Sequence, residues 1–468
     1  MNSIDSLPPA TGDYDVDRQR HAKVYLEGLG EEISRVSANR AELHRIRDER
    51  LGQLLNHARE YSPWHRERLR SVDLDAISGE DLSALPPMTK ADLMANWDEI
   101  VCDPRLSLSM ANEHIDRLAS EGPAYLLDSY HAFATGGSTG ERGVMVWDFE
   151  GFRIVGSRVP AWGISAATHA GQEMPTPVVI AFVGSEGAGH VGGAMTRCFS
   201  NPAMSRNVSI AASKPVEQIQ AELEATQPHI LGGYASALHE LAERKLAGRL
   251  DIAPLAIIQG GEPLFPETRA VLSKAFGVPI RDMWGATEIG WGASSIPGHE
   301  GLVVSEDLVI IEPVDSEGAS IPLGERAAKL LITNLVNRVM PIIRYEISDE
   351  VTLVAADPDC PWHGQRLLSV QGRLDDVFHY GDRMIHPHTF RTVFTRHASV
   401  SEYQIRQTRR GAEAIVVPSS DFAGERLEQD LVSALEKAGL PDPDVVLRPV
   451  EKIERHARSK KLKRFVPL

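Results

Sequence analysis

The chain has 468 residues, 42% of them hydrophobic and 24% charged, which is the composition of a globular protein with room for about two to four domains and excludes a disordered one. Its 49 basic residues against 65 acidic ones give a formal charge of −16, which repels phosphate backbones and anionic lipid and argues against nucleic-acid or membrane partners. The cysteines Cys102, Cys198 and Cys360 are too scattered for a disulfide framework, and no leader or membrane-length apolar run is visible, so the expectation is a cytoplasmic protein with reduced thiols.

In chain order, residues 1–20 carry Pro8, Pro9, Gly12 and several aspartates and read as a flexible tail. Leu51, Leu54, Leu55 and Ala58 recur at helical spacing. At 85–93, LPPMTKADL predicts a loop and then a helix start with Thr89 as N-cap. Short apolar runs follow at Val178–Val183, Leu255–Ile258, Leu308–Ile311 and Leu330–Thr333, with helical stretches Val216–Ala225 and Ala235–Leu246 between them. That alternation predicts an α/β fold with a largely parallel sheet and flanking helices. The character changes near Gly372. Glu402–Arg406, Ala414–Val417 and Val445–Val450 then read as strands, and Leu427, Leu431, Ala434 and Leu435 as one helix face. These predict a large domain over 21–372 and a small α+β domain over 373–468.

Four motifs carry candidate chemistry. The loop AFATGGSTGERGV (132–144) combines glycines, whose backbone can turn its amides toward an anion, with hydroxyls at Thr135, Ser138 and Thr139. A phosphate cradle and a surface turn both fit it. The segment IIQGGEPLFPETRAVLSKAFGVPIRDMWGATEIGWG (257–292) alternates strand, helix and strand, so its loops fall where such folds place ligands. Within it, Thr287 offers a hydroxyl and Glu288 a carboxylate for phosphate and magnesium, although an acid also suits a helix first turn. Asp349 can accept two ribose hydroxyls and Arg373 can reach a phosphate, though either also suits a surface salt bridge. Finally, RHARSKKLKR concentrates Lys and Arg at 455–464 in an otherwise acidic chain.

Two further patterns are weaker. Gly187-Ala-Gly-His-Val-Gly192 matches a dinucleotide fingerprint, but Gly184, Ser185 and Glu186 separate it from the strand. No acid stands about twenty residues on, and AMTRCFSNPAM is a poor helix. Cys360 and His363 have the spacing of zinc ligands without a second pair, so a turn is expected there.

Together and in this order, the motifs resemble the adenylate-forming superfamily of acyl-CoA ligases, adenylation domains and luciferases, in its phenylacetate-CoA ligase-like branch. The likeness runs from about residue 50 to 466 and includes HAREYSPWHRERLR and LPPMTKADLMANWDEI. It implies a large domain and a mobile C-terminal lid. Thr135, Gly136, Gly137, Ser138, Thr139, Gly140 and Arg142 would hold the phosphates of ATP. Gly260, Gly261, Glu262, Pro263, Trp284 and Gly285 would line the nucleotide site, with Asp349 and Arg373 at the ribose. Thr287 would touch the α-phosphate, Glu288 would bind Mg2+, Lys461 would be the catalytic lysine and Asp375 the hinge. His190, Gly192, Tyr234, Ala286 and Gly290 are pocket candidates for the acid.

The implied activity is ATP-dependent activation of a small aromatic or arylalkyl carboxylic acid, with release of pyrophosphate and transfer to the CoA thiol. An amine or carrier-protein thiol is the alternative acceptor, a non-catalytic binding homologue the alternative class, and a homodimer is common among relatives. Three departures stand out. Glu141 and Arg142 replace a lysine and a proline, Trp284 replaces a tyrosine, and Lys460 replaces the glycine before Lys461.

Overall fold

The computed structural model describes residues 10–134, 143–184, 191–198, 203–212, 214–368, 370, 376–381, 383–385, 387–394, 397, 399–418, 422–455 and 462–468. The first helix, Tyr14–Val36, begins inside the stretch expected to be a tail. Asp13 caps it by accepting the amides of Asp15 and Val16, and Tyr25, Leu29 and Val36 bury one face. Proline and glycine content hid this cap from the sequence reading. The second helix, Arg40–Tyr61, buries Leu51, Leu54, Leu55 and Ala58 as the spacing predicts, against Leu69, Leu85 and Ile343. Thr89 and Asp92 form a capping box at the start of Lys90–Ala95.

Among the described residues the largest sheet has nine strands, in the order Thr352–Val354, Arg366–Leu368, Leu302–Val304, Gly290–Ser294, Ile280–Ala286, Ala256–Gly260, Ile230–Gly233, Val178–Gly184, Ser205–Ala211. The last five are mutually parallel and the rest antiparallel, so the sheet is mixed. Helices Val216–Thr226, Ala235–Leu246 and Pro266–Phe276 cover one face through Leu223, Leu238 and Leu272, which meet Val183, Leu231 and Ile257. On the other face Ile258 and Met283 pack with Ala161 and Trp162 of the helix Phe149–His169. Adjacent residues Ile257 and Ile258 thus serve opposite layers, as strand alternation requires.

A helix does follow the Val178–Gly184 strand, at Val191–Cys198, where the sequence suggested a poor one. Its Ala194 and Cys198 insert into the main apolar core, and that burial overrides weak local propensity. Residues 187–190 of the glycine pattern lie outside the described residues.

A three-stranded sheet, Val309–Val314, Lys329–Asn334 and Tyr345–Ile347, leads into Asp349. The C-terminal region is a smaller α+β unit. Its sheet runs Asp444–Pro449, Gly411–Pro418, Val400–Gln407, Phe465–Val466, with Leu427, Leu431 and Leu435 of the helix Gly424–Lys437 buried on it. The parallel pairing of Phe465–Val466 with Ile405 and Arg406 was not visible in the sequence, because two residues carry no periodicity. Among the described residues no helix is long and apolar enough to cross a membrane.

Candidate functional site

The parallel strands deliver their carboxyl ends to one edge of the large sheet, and the candidate residues come from the loops that leave them. Ile230–Gly233 runs into Tyr234, the N-cap residue of Ala235–Leu246. Ala256–Gly260 runs into Gly261, Glu262 and Pro263, and Ile280–Ala286 turns through Thr287 and Glu288 into Gly290–Ser294. That last hairpin closes so tightly that a Cβ on Gly285 would collide with the Gly290 carbonyl, and Gly290 itself sits at φ +66°.

Two distant motifs meet at this edge. The indole N–H of Trp284 donates to Asp349 Oδ2 at 3.1 Å, and both side chains are buried, at 6% and 9% exposure. The strand Ile280–Ala286 is thereby tied to the sheet that ends in Tyr345–Ile347. Trp284 therefore acts through its nitrogen as well as its ring.

The Thr287–Glu288 turn is held from behind by two buried side chains that sequence reasoning missed. Trp147 Nε1 donates to the Thr287 carbonyl at 3.1 Å, and Asn334 Nδ2 to the Glu288 carbonyl at 2.8 Å. Asn334 Oδ1 also accepts the amides of Val336 and Asn337. Asp148 takes the next two amides, those of Arg338 and Val339, and burial pushes its carboxyl above the usual range despite these donors. No motif marks Trp147 or Asn334; each merely ends an apolar strand.

With its backbone fixed, the turn leaves the Thr287 and Glu288 side chains half-buried. Among the described residues no group of three metal-ligating side chains exists. A single carboxylate such as Glu288 nonetheless fits Mg2+, which takes one or two carboxylates and fills its other positions with water and phosphate oxygens.

Glu262 bonds to two other segments of the chain. Its carboxylate accepts the Ser236 amide at 2.9 Å, the Ser236 hydroxyl at 3.1 Å and the Leu462 amide at 2.9 Å. Tyr234 is buried, edge-on to Phe182 with ring centroids 6.3 Å apart. Ala286 pairs with Gly290, and Gly192 lies in the helix Val191–Cys198. Thr135, Gly136, Gly137, Ser138, Thr139, Gly140, Glu141, Arg142, His190, Arg373, Asp375, Lys460 and Lys461 lie outside the described residues. The strands on either side of 135–142, His131–Ala134 and Val144–Trp147, pair antiparallel. Burial pushes the thiols of Cys198 and Cys102 up to about 11 and about 12, which leaves them protonated and unreactive. Cys360 packs with Trp162 and Trp362.

No protein-family model matches the chain. It is 24% identical over 387 residues to the phenylacetate-coenzyme A ligase of Escherichia coli, covering 79% of this chain and 80% of that one. It is 24% identical over 349 residues to the phenylacetate-coenzyme A ligase of Aromatoleum evansii, covering 73% and 72%. Its fold matches that of 2-hydroxyisobutyryl-CoA ligase in the postadenylation state with a TM-score of 0.71 at 18% identity, over 92% of this chain and 90% of that one.

A large mixed α/β body followed by a small α+β unit is the fold that the chain shares with the solved acyl-CoA ligase. The resemblance to the phenylacetate-CoA ligase-like branch that the motifs imply, and with it the expectation of an enzyme, is borne out by these relatives.

Proposed function

We propose that the chain uses ATP to convert a small aromatic or arylalkyl carboxylic acid into its acyl-adenylate, releasing pyrophosphate, and then passes the acyl group to the thiol of CoA. The observation that carries this reading is the contact between Trp284 and Asp349, which joins two of the four ordered motifs at the carboxyl-end edge of the parallel strands.

A carboxylate is a poor acyl donor because its leaving group would be oxide. Attack on the α-phosphate of ATP exchanges that for AMP, a good leaving group. In this reading the Asp349 carboxylate accepts the ribose hydroxyls and so fixes the nucleotide's register. Thr287 donates to the α-phosphate from a turn that Trp147 and Asn334 hold rigid. Glu288 holds Mg2+, which when bound neutralises phosphate charge. Lys461 and the 135–142 loop meet the remaining charge as pyrophosphate leaves. Residues 21–372 form the body and 373–468 a lid that turns about Asp375, so that the acceptor can reach the adenylate.

The test is acid-dependent pyrophosphate release from Mg-ATP with phenylacetate, benzoate and short alkyl acids, with hydroxylamine trapping the adenylate. Release is expected with at least one aryl or arylalkyl acid. Lys461→Ala should lower it by about 10²–10³-fold while leaving ATP binding intact. Bound ATP with no release from any acid, or no ATP binding, would overturn the assignment.

A further inference from the structure

Glu262 joins parts of the molecule that lie far apart in sequence. From the body side, the start of the helix Ala235–Leu246 holds its carboxylate: the Ser236 amide donates to Oε2 at 2.9 Å and the Ser236 hydroxyl to Oε1 at 3.1 Å. From the C-terminal side, the backbone amide of Leu462, 200 residues further on, donates to the same Oε1 at 2.9 Å. Leu462 directly follows Lys461. The turn that presents Glu262 is itself fixed, with Gly261 at φ +84° and Gln259 Nε2 bonded to the Glu262 carbonyl.

Leu462 belongs to a short segment that is clamped on both sides. Its side chain packs with Ile415 and Ile453. The Lys463 carbonyl accepts Gln404 Nε2 at 2.8 Å, and the Arg464 carbonyl accepts the Ile405 amide at 2.8 Å, which attaches the segment to the C-terminal sheet. The Arg464 guanidinium lies 4.5 Å from the Tyr403 ring centroid and 5.3 Å from that of Phe265, three residues past Glu262. Burial opposes the charge on Arg464, yet Tyr403, Glu402 and Glu262 together hold its pKa above the ordinary value. One carboxylate and one aromatic ring of the body thus grip the main chain and the cation of 462–464.

We propose that Glu262 is a positioning residue for the lysine-bearing segment. It anchors the main chain next to Lys461 against the body for the adenylation half-reaction, and the contact must break whenever the C-terminal region moves. This rests on the ligase reading above and adds a role for Glu262 that the Gly-Gly-Glu-Pro stretch does not declare. An amide-to-carboxylate bond suits the task because it is charge-assisted yet single, strong enough to dock a segment and weak enough to release it.

The experiment compares Glu262→Ala, Glu262→Gln and Ser236→Ala in the full chain. Amide hydrogen exchange is read at Leu462, alongside ATP titration and pyrophosphate release with Mg-ATP and phenylacetate. In Glu262→Ala the Leu462 amide should exchange about tenfold faster or more, and exchange in Val400–Gln407 should not change. Pyrophosphate release should fall by about tenfold or more, and by more than any accompanying loss of ATP affinity. Glu262→Gln keeps one acceptor oxygen and should lie between Glu262→Ala and wild type; it also serves if Glu262→Ala does not fold. Ser236→Ala leaves the Leu462 bond intact and should keep its slow exchange.

Unchanged exchange at Leu462 in both Glu262 variants would overturn the proposal. So would a Ser236→Ala profile equal to that of Glu262→Ala, since the effect would then come from the helix start. Wild-type protein that releases no pyrophosphate with any acid would sink the ligase reading instead, and the exchange arm would still test the anchor.

Discussion

Trp284 shows how one side chain can serve two purposes at the candidate site. Its ring fills the space beneath Gly292, with atoms 3.1 Å from where a Cβ there would stand, and its N–H holds Asp349 Oδ2 at 3.1 Å. An indole only donates, so Asp349 is the acceptor of this bond, and in the reading proposed above the same carboxylate accepts the ribose hydroxyls. Trp284→Phe keeps most of the ring and removes the donor. A hydrogen bond to a charged group contributes about 1.5–3 kcal/mol, of which part is recovered by water, so ATP affinity should fall by about three- to tenfold. Calorimetric titration with ATP checks this, and unchanged or tighter binding would mean that the indole competes with the ribose. The aromatic residue and the acid were both legible as motif members. Their bond was not, because the residues stand 65 apart, one in a strand of the large sheet and the other just past the strand Tyr345–Ile347.

At the scale of elements, the turn at Thr287–Glu288 owes its shape to neighbours rather than to its own residues. Asn334, at the end of the strand Lys329–Asn334, satisfies the Glu288 carbonyl and the amides of Val336 and Asn337 at once. It is fully buried, so Asn334→Ala would strand three backbone groups away from water. The expected cost is about 2–4 kcal/mol, measured by urea unfolding, together with a loss of adenylation activity as the turn relaxes. Asn334→Asp retains the acceptor and loses the donor, and should recover part of the stability. Helical and strand periodicity located the elements themselves. It had no means of showing which side chain would brace a loop from a neighbouring sheet.

The whole molecule is held together by buried ionic and aromatic contacts between regions distant in sequence. Arg158, 1% exposed, bonds Asp307 at 2.6 and 2.9 Å and Glu32 at 2.9 Å, locking the first helix onto Phe149–His169 and the loop before Val309–Val314. Three buried histidines contribute to the acid limit of stability. Burial lowers His21 to about 4 and both His65 and His131 to about 3, against an unfolded value near 6.5. A base with a depressed folded pKa stabilises the fold above its unfolded pKa, and that contribution is lost as pH falls through the folded value. Stability should therefore be level above about pH 7 and decline from about 6.5 toward 4. His131 stacks near Phe152 and Phe133, and burial with the nearby His21 and His114 opposes its charge, so His131→Phe should lessen the slope over that window by about one proton. Denaturant midpoints at a series of pH values measure it, and an identical slope in the variant would remove His131 from the account.

The amino-acid sequence by itself determined the parallel-sheet core, the α+β C-terminal unit, the buried faces of helices such as Arg40–Tyr61 and the order of the candidate motifs. Those properties follow from local periodicity, caps and glycine spacing, which a linear chain displays openly. Only the tertiary structure decided that Trp284 holds Asp349, that Asn334 and Trp147 brace the Thr287–Glu288 turn, that a helix begins at Tyr14 and that Glu262 reaches Leu462. Each of these is a hydrogen bond or a packed face whose partner lies on another element, and its existence depends on placements of a few tenths of an ångström that no pattern along the chain encodes.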